Sequence, residues 1–88
     1  MDDSCHREVL IKQSNFIIIK LILEKDALLP KHKARGLTTL IPLKGEGMLT
    51  RNAETIAIRR GINIDLTPND EHDILAKTVL ELLVIEVF

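Results

Sequence analysis

The stretch from Glu54 to Leu66 constrains this chain most. Ile56 and Ile58 alternate with Thr55 and Ala57, and Ile62, Ile64 and Leu66 alternate with Asn63 and Asp65, the period-two pattern of two half-buried strands. Only Arg59, Arg60 and Gly61 lie between them. A three-residue hairpin loop closes through a residue at positive φ, which glycine adopts without a Cβ clash. The spacing therefore predicts a 54–66 hairpin with Ile58 opposite Ile62, Ile56 opposite Ile64 and two guanidinium groups at its tip. A slip of one residue would turn every isoleucine toward water.

The remaining elements follow from the same kind of pattern. Phe16 to Leu23 is the most apolar segment and rich in isoleucine, which favours a buried strand, although a helix continuing to Leu29 has Lys20 and Glu24 at a pairing distance of four. Pro30 ends that element. Lys31 to Gly36 reads as a basic loop, and Leu37 to Leu43 as a strand that Pro42 confines to an edge or ends early. Ser4 to Gln13 suggests a short helix capped by Asp3 or Ser4, with Asp2 and Asp3 near the positive end of its dipole. Thr67-Pro68-Asn69-Asp70 has the composition of a helix start, and Ile74, Leu75, Val79, Leu82 and Leu83 could form the buried side of a helix over about residues 68–83. The resulting expectation is an α+β fold: a small antiparallel sheet of 16–23, 37–43 and the 54–66 hairpin, packed against a C-terminal helix.

Eighty-eight residues, 45% hydrophobic and 28% charged, suit one globular domain over residues 1–88. Phe16 and Phe88 are the only aromatics, so the core is aliphatic. Small aliphatic cores often gain stability by self-association, which makes a homo-oligomer the expected state. Cys5 is the only cysteine, so no intrachain disulfide forms. Asp2 and Asp3 stand where a secretory signal carries basic residues, and no apolar run approaches the ~20 residues of a membrane span. The expected location is cytoplasmic, away from membranes.

Charge is unevenly distributed. Residues 1–24 carry three basic and four acidic side chains, residues 25–60 eight and three, and residues 61–88 one and six, giving −1, +5 and −5. Such a division either creates a basic binding surface or is neutralised within the fold or across a dimer.

Catalytic and metal-binding constellations are weak. Gly45 and Gly47 lack the spacing of a phosphate loop. His32 and His72 stand alone in sequence, and Cys5 and His6 are adjacent, so their side chains diverge. No cofactor or metal is expected, and an enzyme is disfavoured. Lys31, Lys33, Arg35, Lys44, Arg51, Arg59 and Arg60 instead suggest a site for an anionic partner, nucleic acid first, through a basic loop and the hairpin tip. Leu49-Thr50-Arg51, followed by Glu54, Ile56 and Ile58, resembles the opening strands of the carbon storage regulator family, small β-rich dimers that bind RNA. His6-Arg7-Glu8 resembles a triplet near that family's end. The matches run in permuted order and lack the family's intervening glycines, so the assignment is not adopted.

The expected function is thus a non-enzymatic regulatory or adaptor module. The alternative is a protein-interaction or oligomerisation module that uses an apolar strand edge and the C-terminal residues Val84, Ile85, Val87 and Phe88.

Overall fold

The computed structural model describes residues 4–88, all in strands and connecting turns; the capping role expected of Asp2 and Asp3 lies outside them. Nine strands run in the order β1 (Cys5–Lys12), β2 (Phe16–Leu23), β3 (Leu28–Lys33), β4 (Leu37–Lys44), β5 (Gly47–Arg51), β6 (Glu54–Ile58), β7 (Ile64–Leu66), β8 (Glu71–Ala76) and β9 (Leu80–Val87). They form two antiparallel sheets, β1-β2-β9-β4-β7 and β3-β8-β5-β6, which face each other across the core.

Alternation explains the faces. β2 buries Ile17, Ile19, Leu21 and Leu23, and β8 buries His72, Ile74 and Ala76. Leu23, Leu49, Ile58, Leu66, Ile74, Leu80 and Leu82 are the largest fully buried side chains, each contributing roughly 1.5–3 kcal/mol of transfer free energy.

The α+β expectation fails, because the described residues contain no helix. Residues 68–83 are β8, a turn and most of β9. The Thr67–Asp70 signal closes a turn instead: the Asp70 amide donates to the Thr67 carbonyl (3.0 Å), while the Thr67 amide and hydroxyl donate to Asp70 Oδ2 (2.9 and 3.2 Å). Proline at the second position of a turn satisfies the same local geometry as proline at a helix start. The short helix suggested over residues 4–13 is likewise strand β1.

The 54–66 segment also differs from expectation. Its isoleucines do not pair with each other: β6 pairs with β5 and β7 with β4, in opposite sheets. Arg59 to Ile62 carries the chain between the sheets, closed by the Ile62 amide donating to the Arg59 carbonyl (3.2 Å), with Gly61 at φ 90°. Period-two alternation fixes which side chains face inward but not which strand lies alongside. The hairpin that does form is β5–β6, turning on Asn52 and Ala53 at φ 49° and 68°, both positive as a two-residue turn of the favoured hand requires.

The expected 16–23 and 37–43 strands share a sheet, but β9 lies between them. Pro42 falls beyond the reach of β7, which pairs only with Thr38 to Leu40, so β4 has one neighbour there. Pro30 falls in the irregularity between Leu29 and His32, on edge strand β3. Both prolines sit where a missing N–H is tolerated.

Candidate functional site

The strand registers divide the barrel between the sheets into two ends. One is closed by the β4–β5 and β8–β9 turns, where the Lys77 and Thr78 amides donate to the Glu46 carbonyl (2.9 and 3.2 Å). The other carries the inward row Ile17, Glu86, Thr38 and Leu66 in one sheet and His32, His72 and Arg51 in the other. Toward that second end lies a cavity of about 320 Å³. Its apolar wall comprises Ile19, Leu21, Leu29, Leu40, Ile74 and Val84. Its polar lining comprises Arg7 from β1, His32 and Lys33 from β3, Arg35 from the following loop, Thr38, His72 and Glu86.

His32 and His72 are opposite one another in the β3–β8 ladder, with ring centroids 4.3 Å apart and planes inclined by 56°. His32 Nδ1 lies 2.9 Å from the Pro30 carbonyl and His72 Nδ1 lies 3.2 Å from the Asp70 carbonyl. A carbonyl oxygen only accepts, so both Nδ1 atoms carry the hydrogen and each neutral ring keeps a bare Nε2. Burial pushes the His72 pKa below the usual histidine value. The nearby His32 acts in the same direction, while the Asp70 carbonyl and the Asp70 and Asp73 charges oppose it.

Glu86 is 8% exposed and points inward, 3.5 Å from the Arg35 guanidinium. Arg35 also lies 5.6 Å from the centre of the Phe88 ring, within cation–π range. The Thr38 hydroxyl donates to the Gly36 carbonyl (3.0 Å). Transition metals held by proteins usually take three or four His, Cys, Asp or Glu donors. Among the described residues no group of three such side chains is close enough to supply them.

The seven basic residues singled out from the sequence do not form one surface. Lys31, Lys33, Arg35 and Arg51 belong to the His32 and His72 end, whereas Lys44 and the Arg59–Arg60 turn lie at the closed end, where Ile58 pairs with Gly47. Two are already engaged by acidic side chains: Arg51 donates to Glu54 (3.0 Å) as well as to the Asp65 carbonyl (2.8 Å), and Arg35 pairs with Glu86 (3.5 Å). This division, together with the all-β fold, removes the support for a nucleic-acid-binding regulatory module.

Val84 lines the cavity, Ile85 and Val87 face outward on β9, and Phe88 lies beside Arg35. β9 is hydrogen-bonded on both sides, so the C-terminal residues Val84 to Val87 lie in a central strand of the sheet. Arg7, His32, His72 and Glu86 are the lining residues that the sequence reading passed over as site candidates. The alternation of His72, Ile74 and Ala76 was the available signal that His72 faces inward.

No protein-family model matches the sequence, and comparison with curated proteins gives no match. Solved structures show the fold clearly. A cupin superfamily protein from Desulfitobacterium hafniense superposes with a TM-score of 0.91 at 16% identity, covering 100% of this chain and 81% of that one. An RmlC-like cupin protein from Desulfovibrio desulfuricans gives 0.87 at 24% identity, with 98% and 85% covered. An RmlC-like cupin family protein with a double-stranded β-helix fold from Methanocaldococcus jannaschii gives 0.85 at 24% identity, with 98% and 82% covered. The chain is thus a small domain with the cupin fold. The described residues contain no helix long and apolar enough to cross a membrane.

Proposed function

We propose that this domain binds a compact, largely apolar small molecule with an anionic head in the barrel between its sheets. The observation that carries this reading is the composition of the cavity: an aliphatic wall beneath Arg7, Lys33 and Arg35, with Glu86 the only carboxylate among the described lining residues. Apolar pockets with a few convergent polar groups are the usual form of small-molecule sites, and the surplus of cations selects the sign of the head group.

A calorimetric comparison of benzoate, benzyl alcohol and benzylamine tests the reading. Benzoate is expected to bind most tightly, and Leu40→Trp, which fills the cavity, is expected to remove binding while the fold is retained by circular dichroism. Equal binding of all three compounds, or benzoate binding unaffected by Leu40→Trp in the folded protein, would contradict it.

A second reading concerns assembly. The outer face of the five-stranded sheet aligns Phe16, Val87 and Leu37 in one row, Ile18, Ile85 and Thr39 in the next, and Lys20, Leu83 and Ile41 in a third. A largely apolar outer face of this kind suits a second copy of the chain. Association through it leaves the cavity, on the inner face, available for ligand.

A further inference from the structure

Building on the cavity reading, we infer that the His32–His72 pair couples anion binding to proton uptake, so that the ligand enters together with a proton taken up by one of the two rings. The hydrogen-bond geometry of the pair carries this inference. With both Nδ1 hydrogens committed to the Pro30 and Asp70 carbonyls, the neutral pair turns two acceptors and no ring donor toward the cavity. A carboxylate beside two bare Nε2 atoms would meet lone pairs on both sides. Protonating one ring converts it into a charge-assisted donor.

The surroundings of His72 weigh against a proton on that ring before the anion arrives, burial being the largest cause. Arg7 on β1, Lys33 on β3, Arg35 in the loop and Arg51 on β5 place positive charge around the pair. Glu86 on β9 is the carboxylate among the described lining residues and is engaged by Arg35, while Asp70 in the preceding turn and Asp73 on β8 lie to either side of His72 in the chain. β4 contributes only the uncharged Thr38 and Leu40 to the lining. Burial adds to this bias by holding His72 below its ordinary pKa. An incoming anion reverses the balance, since opposite charge nearby favours the protonated imidazole.

Linkage then sets the sign. Because the bound state holds the proton more tightly than the free state, affinity rises as pH falls from the bound-state pKa toward the free-state pKa, and levels off below it. The test is calorimetry of the full chain with benzoate, in EDTA, from about pH 8 to about pH 6 and in buffers of different ionisation enthalpy. For one coupled proton, the dissociation constant is expected to fall by up to about tenfold per pH unit, with close to one proton taken up per ligand.

His32→Gln is expected to lose most of the uptake and of the pH dependence, with binding weakened toward its high-pH value, and His72→Asn to do the same where it folds. Benzoate binding that is indifferent to pH and takes up no proton overturns the coupling and leaves the cavity reading intact. Uptake unchanged in His32→Gln and in folded His72→Asn overturns it by assigning the proton to another group, Glu86 first. Binding abolished by EDTA also overturns it. No binding of benzoate at any pH overturns the cavity reading itself. If both histidine variants fail to fold, a wild-type measurement that shows no proton uptake still overturns the coupling.

Discussion

Ala53 carries the left-handed turn that joins β5 to β6, at φ 68°. A residue with a Cβ is roughly 1–2 kcal/mol strained in that region, part of which glycine's larger unfolded-state entropy would offset. Ala53→Gly is therefore expected to raise unfolding stability by about 0.5–1 kcal/mol, read as a higher urea midpoint at unchanged slope. The histidines show the limit of reading single residues. His32 and His72 are visible as titratable groups in the sequence, yet their pairing exists only once β3 and β8 lie side by side. Glu86 was hidden for a related reason: a charged residue within a strand reads as surface until the opposite sheet covers it.

At the scale of elements, residues 67–88 satisfied two periods at once. Ile74, Leu75, Val79, Leu82 and Leu83 fit a helical stripe, while His72, Ile74 and Ala76 followed by Leu80 and Leu82 fit two inward strand faces. Two neighbours separate the alternatives. Ile74 is 1% exposed and Leu75 is 41% exposed, whereas a helical stripe would have buried both. Ile74→Ala is expected to destabilise by about 2–5 kcal/mol and Leu75→Ala by less than about 1 kcal/mol, compared in matched denaturant titrations. Strand β2 was favoured by its length and β-branched content, although the sequence left a helix through Leu29 open, and β4 was read as a strand outright. β3 was not, since Pro30 and three basic residues among Lys31 to Lys33 and Arg35 resemble a solvated loop, and only the neighbouring β8 organises them.

For the molecule as a whole, the fold brings the basic middle third beside the acidic last third: Arg35 pairs with Glu86, while Lys33 and Lys44 stand opposite Glu71 and Glu81 in the strand ladders. Apolar outer rows on β2, β9 and β4 then become the larger determinant of assembly. If a second copy covers them, sedimentation equilibrium is expected to report a dimer that persists at high salt. Val87→Asp is expected to weaken association by at least about tenfold, since a buried unpaired carboxylate costs several kcal/mol. A wild-type protein that remains monomeric throughout the accessible concentration range would remove the assembly reading. Sequence alone left this face ambiguous, because Ile85 and Val87 gave no indication that their strand would be flanked on both sides.

The placement of β8 and β9 carries a kinetic consequence. Both are translated after the strands they join, yet each sits in the interior of its sheet, between β3 and β5 and between β2 and β4. Earlier strands must therefore wait, with apolar faces and ladder groups uncovered, until the last stretch arrives to knit each sheet together. Such delayed, long-distance pairing makes folding slow and leaves a vulnerable interval in which nascent chains can stick to one another.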